Sequence, residues 1–255
     1  MDICDSILDK KDSIRPPKGK IYIGSGDFQK TGEHFVDLLK EKCGLKAHHQ
    51  VLDVGCGIGR IAIPLTKYIN NQGGYQGFDI VKKGINWCRA NISSKYSHFV
   101  FKHIDLKNDL YNMTTDQAAK NFIFPYAENF FDLVILTSVF THMMPEDVDN
   151  YLSQIERVLK PGGKCFATFF IINRDSFKLM NEGKGMKFEF NKGHYFLMNE
   201  NVKEANIAFE EEYLLSGLGN YNFQIDSVDY GYWSGRSKSV YSDFQDSIIF
   251  SKLMG

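Results

Sequence analysis

Between residues 51 and 60 the chain reads Val51-Leu52-Asp53-Val54-Gly55-Cys56-Gly57-Ile58-Gly59-Arg60, an apolar run holding one carboxylate and followed by three glycines at alternate positions. Glycines so spaced let the backbone turn sharply and approach a ligand with no Cβ between them. A helix begun at such a turn aims its free N–H groups at that ligand. The chemistry this suits is the holding of a nucleoside cofactor. A dinucleotide turn asks for a third small residue where Arg60 stands, and a carboxylate at Asp53 would repel a pyrophosphate. The same carboxylate suits a ligand that carries an ammonium and a sulfonium, and S-adenosylmethionine carries both.

Further acids close later apolar runs. Tyr75-Gln76-Gly77-Phe78-Asp79-Ile80 and Phe101-Lys102-His103-Ile104-Asp105-Leu106 each read as a strand ending in a carboxylate, Phe131 to Thr137 reads as another strand, and Leu159-Lys160-Pro161-Gly162-Gly163 as a turn into the next. With these landmarks in order, the middle half of the chain resembles the class I S-adenosylmethionine-dependent methyltransferases. The resemblance implies S-adenosylmethionine as cofactor, with Asp53, Gly55, Cys56, Gly57 and Gly59 along its methionine side. It implies Asp79 and Ile80 at the ribose, Asp105 and Leu106 at the adenine, and the Thr137 backbone near the amino group.

Methyl transfer from a sulfonium is an in-line displacement, so the protein must chiefly place the acceptor and exclude water. An alcohol acceptor must also lose its proton, which calls for a base near neutral pKa. His142, just after the fourth strand, and His194, in Gly193-His194-Tyr195-Phe196, are the histidines that could serve. A packing or loop histidine is the plain alternative for each. Tyr195, together with Tyr232, Trp233 and Arg236 from a glycine-punctuated aromatic loop, could stack a ring and grip an acidic group on the acceptor. No Asn-Pro-Pro-Tyr-like element follows the fourth strand, and no acid stands where catechol-type enzymes bind a metal. The expected function is methylation of a small-molecule acceptor, at a hydroxyl of a sugar, sugar nucleotide or similar metabolite. A small-amine N-methyltransferase, a non-catalytic S-adenosylmethionine binder and a nicotinamide dehydrogenase are the rival readings.

The whole chain is consistent with this. Its 30 basic and 31 acidic residues leave a net charge of −1, which speaks for no polyanionic partner, so nucleic acid is not expected; a homodimer is left open. Five cysteines at 4, 43, 56, 88 and 165 form no Cys-x-x-Cys pair, so neither a disulfide framework nor a metal site is expected. An acidic N-terminus unlike a secretory signal and apolar runs too short to span a bilayer place the protein in the cytoplasm, without membrane insertion.

The elements that must position these residues alternate strand and helix, which predicts an α/β, Rossmann-like, doubly wound sheet. The resemblance makes it seven-stranded and mostly parallel, with an antiparallel last strand and a substrate-capping insertion after strand five. Residues 1–30 are read as an N-terminal arm, in which Tyr22 and Gly24 to Asp27 could close over the cofactor. Residues 31–255 are read as the methyltransferase domain, with a lid-like, irregular segment at about 173–203. Thr31 is expected to cap a helix over about 33–43 that stops at Gly44, Pro145 to open one running to Leu159, and residues 204–216 to form another. Strands are expected near 166–172, 223–230 and 246–252.

Overall fold

The computed structural model describes residues 14–22, 26–238, 240 and 243–254. The first half alternates helix and strand: α1 (Phe28–Cys43), β1 (Gln50–Val54), α2 (Ala62–Leu65), β2 (Gly74–Asp79), α3 (Lys82–Cys88), β3 (Phe99–His103), β4 (Phe131–Leu136), α4 (Pro145–Val158) and β5 (Leu159–Phe169). There follow β6 (Ile171–Ile172), α5 (Arg174–Asn181), β7 (Phe190–Asn191), β8 (Tyr195–Leu197), β9 (Ile207–Glu210), α6 (Glu211–Gly219), β10 (Phe223–Asp229) and β11 (Asp246–Lys252).

Seven strands form one sheet in the order β10-β11-β5-β4-β1-β2-β3. Strands β1 to β5 run parallel, and β11 lies antiparallel to both β5 and β10. This is the Rossmann-like architecture expected. Val51, Leu52 and Val54 are at most 1% exposed, as a strand covered on both faces requires. The chain leaves β1 toward β2 and β3, then returns to its other side at β4. That reversal opens a crevice beyond the carboxyl ends of β1 and β4, where open α/β sheets take their ligands.

Helix α1 starts a turn earlier than Thr31 would set it. Asp27 is the cap, its carboxylate accepting from the backbone N–H groups of Gln29 and Lys30 at 3.0 Å each, and Gly44 ends the helix in the left-handed conformation at φ 65°. Helix α4 opens with Pro145 as expected, and buries Val148, Leu152 and Ile155 at helical spacing.

The second half departs further from the sequence expectation. Strand β5 begins at Leu159 and bulges over the following Lys160-Pro161-Gly162-Gly163, then leaves the main sheet at Phe170. Its continuation, β6, joins a second sheet in the order β6-β9-β8-β7. Residues 173–203 are therefore not irregular: α5 opens on a capping box between Asn173 and Ser176, and β7 and β8 form a hairpin. Nor do residues 204–216 form one helix. Ile207, Ala208 and Phe209 are at most 1% exposed and pair as β9 between β6 and β8, so α6 starts only at Glu211.

Asp246 fastens the two sheets together. Fully buried, it accepts from Ile171 N at 2.6 Å, Gly231 N at 2.8 Å and Trp233 Nε1 at 2.6 Å, with the Arg236 guanidinium 3.5 Å away. No helix among the described residues is long and apolar enough to cross a membrane.

Candidate functional site

The crevice is a cavity of about 880 Å³. Its floor at one end is the glycine turn after β1. Gly55 and Gly57 sit at φ 71° and 58°, in the left-handed region that glycine occupies without strain. A Cβ on Gly55 would also stand 2.5 Å from Val139 Cγ2. The N–H groups of Gly55 and Cys56 donate to Phe78 O at 2.9 and 3.0 Å, tying the turn to the end of β2.

Two carboxylates flank this turn. Asp79 accepts from Gly57 N at 2.8 Å through one oxygen and from Val81 N at 2.7 Å through the other. Burial nonetheless raises its pKa above the usual carboxylate value. Asp53, 1% exposed, takes the Tyr75 hydroxyl on Oδ2 at 2.5 Å while its buried Oδ1 has no hydrogen-bond partner. Desolvation pushes Asp53 up to about 7. An orphaned carboxylate oxygen beside a cradle with no room for a Cβ fits a cationic ligand brought close to the backbone.

Residues 52–167 match the family model described as "Methyltransferase domain". Over those residues the chain carries a methyltransferase domain. Its cofactor is S-adenosylmethionine, which the orphaned Asp53 oxygen and the glycine cradle fit. The domain is 30% identical over 122 residues to the tRNA N(3)-cytidine methyltransferase METTL2 of Gallus gallus, covering 47% of this chain and 30% of that protein. It is 28% identical over 134 residues to the methyltransferase GfsG of Streptomyces halstedii, covering 52% and 42%. The chain thus spans less than half the length of these curated relatives. In fold it is similar to the 1,6-didemethyltoxoflavin-N1-methyltransferase of Burkholderia thailandensis, a structure with bound S-adenosylhomocysteine, at TM-score 0.57 and 15% identity over 89% of this chain and 80% of that one. The likeness to the tRNA enzyme corrects one expectation. Nucleic acid is not excluded as a partner, because this domain is similar in sequence to an enzyme named for tRNA.

Of the residues singled out in the sequence, Asp53, Gly55, Cys56, Gly57, Asp79, Ile80, Leu106, Thr137, His142 and Tyr232 all line the cavity. Cys56 is buried, and burial drives its thiol far from ionisation. Gly59 lies behind the cradle, where a Cβ would meet Ile92 and Cys88 at 2.9 and 3.1 Å, so its smallness serves packing. Asp105 is exposed and accepts from Asn112 Nδ2 at 2.8 Å. The cavity beside it is lined instead by Leu106, Asn108 and Tyr111. In the arm, Tyr22 lines the cavity too, whereas Gly24 and Ser25 lie outside the described residues.

The second base and much of the expected acceptor grip sit elsewhere. His194 is exposed on the β7–β8 turn, its ring stacked on Tyr213 at 4.8 Å and off the cavity lining. Tyr195 packs against the main core beside β9. Trp233 is 1% exposed and spends its N–H on Asp246, and Arg236 bonds Asn173 Oδ1 at 3.0 Å as well as facing Asp246. These two are structural fasteners, since a buried carboxylate demands donors.

His142 sits on a 3₁₀ turn after β4, with Nδ1 2.9 Å from Glu204 O and its ring edge-on to Tyr111. A carbonyl only accepts, so Nδ1 carries the proton and Nε2 keeps its lone pair. Desolvation lowers the imidazole pKa, which holds it neutral at physiological pH. Glu204 itself lines the cavity and is pushed by burial up to about 7.

Sequence reasoning missed three features of the lining. His34 of α1 pairs with Asp243 at 2.6 Å, across 209 positions of sequence. Ser138 N donates to Thr168 Oγ1 at 2.7 Å, and both hydroxyls meet Gln245 Oε1, at 2.9 Å from Ser138 and 2.7 Å from Thr168. Gln245 therefore keeps its amide N–H donors for other partners. Ser138 adopts φ 58°, a conformation rare outside glycine and often found at working sites. None of these pairs has a local sequence signal, because each is made between distant elements.

Proposed function

We propose that this chain transfers the methyl group of S-adenosylmethionine to a hydroxyl oxygen of a small-molecule acceptor, of the class of sugars, sugar nucleotides or similar metabolites. The observation that carries the reading is that one cavity joins the Asp53 and Asp79 cradle to a neutral His142 whose Nδ1 proton is held by the Glu204 carbonyl, which makes Nε2 the basic nitrogen. In this reading Asp79 and Ile80 meet the ribose, Leu106 lies at the adenine, and the Thr137 backbone and the glycine turn face the methionine side. A C–S bond breaks as a C–O bond forms, and the hydroxyl proton passes to His142 Nε2. Thr168, Gln245 and Tyr232 line the acceptor part, and the segment 173–203 caps it through Met186. Sites for drug-sized ligands run to roughly 300–1,000 Å³, so a cavity of about 880 Å³ leaves room for a modest acceptor beside the cofactor.

A tRNA acceptor is the second reading, favoured by the similarity to a tRNA methyltransferase. The test is incubation of the full chain with methyl-tritiated S-adenosylmethionine and, separately, a panel of sugars and sugar nucleotides, a panel of small amines, and total tRNA. Label on a sugar hydroxyl supports the main reading, and label on tRNA or an amine replaces it. Cofactor binding with no label on any acceptor class would favour a non-catalytic S-adenosylmethionine binder.

A further inference from the structure

We propose that Glu204 is a positioning residue that ties the proton-accepting imidazole of His142 to the loop at the cofactor's adenosyl end, so that the two ends of the cavity are set as one unit. The proposal rests on the reading of His142 as the base and of S-adenosylmethionine as the cofactor, and it gives a part in that reaction to a residue of the second sheet. Glu204 stands in the 3₁₀ turn Lys203–Ala205 between β8 and β9. Ala205 N donates to Val202 O at 3.0 Å and Met198 N reaches across to Asn206 O at 3.1 Å, which fixes the turn. From there Glu204 makes two contacts with different parts of itself. Its carbonyl oxygen takes the Nδ1 proton of His142 at 2.9 Å, and its carboxylate accepts from Asp109 N, in the loop that follows β3.

That loop is closed on itself and tied to the same turn of His142. Asn108 and Asn112 exchange backbone hydrogen bonds at 2.8 and 2.9 Å, and Asn108 Oδ1 accepts from Leu110 N and Tyr111 N at 3.0 Å each. The Asn108 amide group donates to His142 O at 3.3 Å, and the Tyr111 ring stands edge-on to the imidazole with centroids 5.7 Å apart. Leu106, Asn108, Tyr111, His142 and Glu204 all line the cavity. Three segments distant in sequence thus close a ring of hydrogen bonds, from His142 to Glu204, from Glu204 to Asp109, and from Asn108 back to His142. When ionised, the Glu204 carboxylate makes the middle link about twice as strong as a neutral pair. A loop displaced at the adenosyl end would carry with it the carbonyl that selects the tautomer of His142.

Nuclear magnetic resonance and calorimetry on the full chain test this. Isotope-labelled histidine is observed at about pH 8, above the ordinary histidine range, with the His142 signals assigned by their loss in His142→Gln. The unsubstituted chain is expected to show neutral His142 as the Nδ1–H tautomer. Glu204→Ala should give a mixture of tautomers. It should also weaken S-adenosylhomocysteine and 5′-methylthioadenosine, an adenosyl thioether with no amino-acid end, alike, by about fivefold or more. Glu204→Gln, which keeps an acceptor oxygen for Asp109 N, should restore the single tautomer and bring both affinities to within about threefold of the unsubstituted chain. Asn108→Ala cuts the loop's other tie to His142, so it should reproduce both effects, and it gives the result if Glu204→Ala does not fold. A single tautomer in the alanine variants that fold, or unchanged affinities in them, would overturn the proposal, since Glu204 would then serve the loop or the base alone. Weakening of S-adenosylhomocysteine without methylthioadenosine would overturn it too, by placing the effect at the amino-acid end. If the unsubstituted chain binds neither compound, the cofactor reading fails and takes the proposal with it. If it binds both while His142 carries its proton on Nε2, the reading of the base fails with the proposal and the cofactor reading stands.

Discussion

The Tyr75 hydroxyl of β2 donates to Asp53 Oδ2 of β1 at 2.5 Å, across neighbouring parallel strands, and so turns one carboxylate oxygen into a structural acceptor while the other stays unpaired at the cavity. Tyr75→Phe keeps the ring, which stacks on Phe99 at 5.1 Å, and removes only the donor. A hydrogen bond to a charged group contributes about 1.5–3 kcal/mol. The ionised Asp53 should become harder to form, and affinity for S-adenosylhomocysteine should fall by about tenfold or more in calorimetry. Unchanged affinity would mean that the ionised Asp53 takes no part in binding.

The pH dependence follows from the same carboxyl. An ammonium ligand selects the ionised form, and Asp53 is pushed up to about 7 by burial. Affinity should therefore rise with pH through about 7 and then level off, and Asp53→Asn should flatten that slope. The stability of the free protein runs the other way. Asp53 has a folded pKa above its unfolded value, so between about pH 4 and 7 the folded state holds a proton that the unfolded state has released, and this group's contribution falls as pH rises. Asp79, also raised by burial, adds the same sign. Thermal melts across that range, compared with those of Asp53→Asn, check the sign.

Asp79→Ala should weaken cofactor binding by about 1.5–3 kcal/mol, the loss of a charge-assisted hydrogen bond to the ribose. It should also lower stability, because Gly57 N and Val81 N lose their acceptor. Asp79→Asn, which keeps one acceptor oxygen, separates the two effects. Parallel calorimetry and urea denaturation would show them, and unchanged affinity in Asp79→Ala would mean that the ribose lies elsewhere.

His142→Gln should leave S-adenosylhomocysteine affinity within about threefold and reduce transfer to a hydroxyl acceptor by about 10²–10⁴-fold, the usual contribution of a positioned base. Transfer at the original rate would remove His142 from the proton's path.

Asp246→Ala should destabilise the protein by about 3–5 kcal/mol, since Ile171 N, Gly231 N and Trp233 Nε1 all lose a buried acceptor. The check is a lowered urea midpoint with little change in slope. Retained stability would contradict the fastening role given to Trp233 and Arg236.

The glycine turn and the acids that flank it were legible in the sequence because their signals are local. A buried strand, three alternate glycines and a strand-end acid are adjacent in the chain, and parallel βα units place such residues at one edge of the sheet whatever surrounds them. Asp53, Gly55, Gly57 and Asp79 meet there. The main sheet, with its antiparallel β11, followed from the same alternation and from the likeness to known methyltransferases.

What only the tertiary structure decided is the surroundings of the acceptor. Trp233 and Arg236 look like a recognition loop in sequence and become buried partners of Asp246, because β5 leaves the main sheet at Phe170 and the junction needs a polar fastener. His194 falls outside the cavity and His34 inside it, although nothing near either residue marks the difference. The tautomer of His142 depends on a carbonyl 62 positions away. Hydrogen bonds and burial of this kind are made between residues far apart in the chain, so they exist only once the sheet, the second sheet and α1 have closed around the crevice.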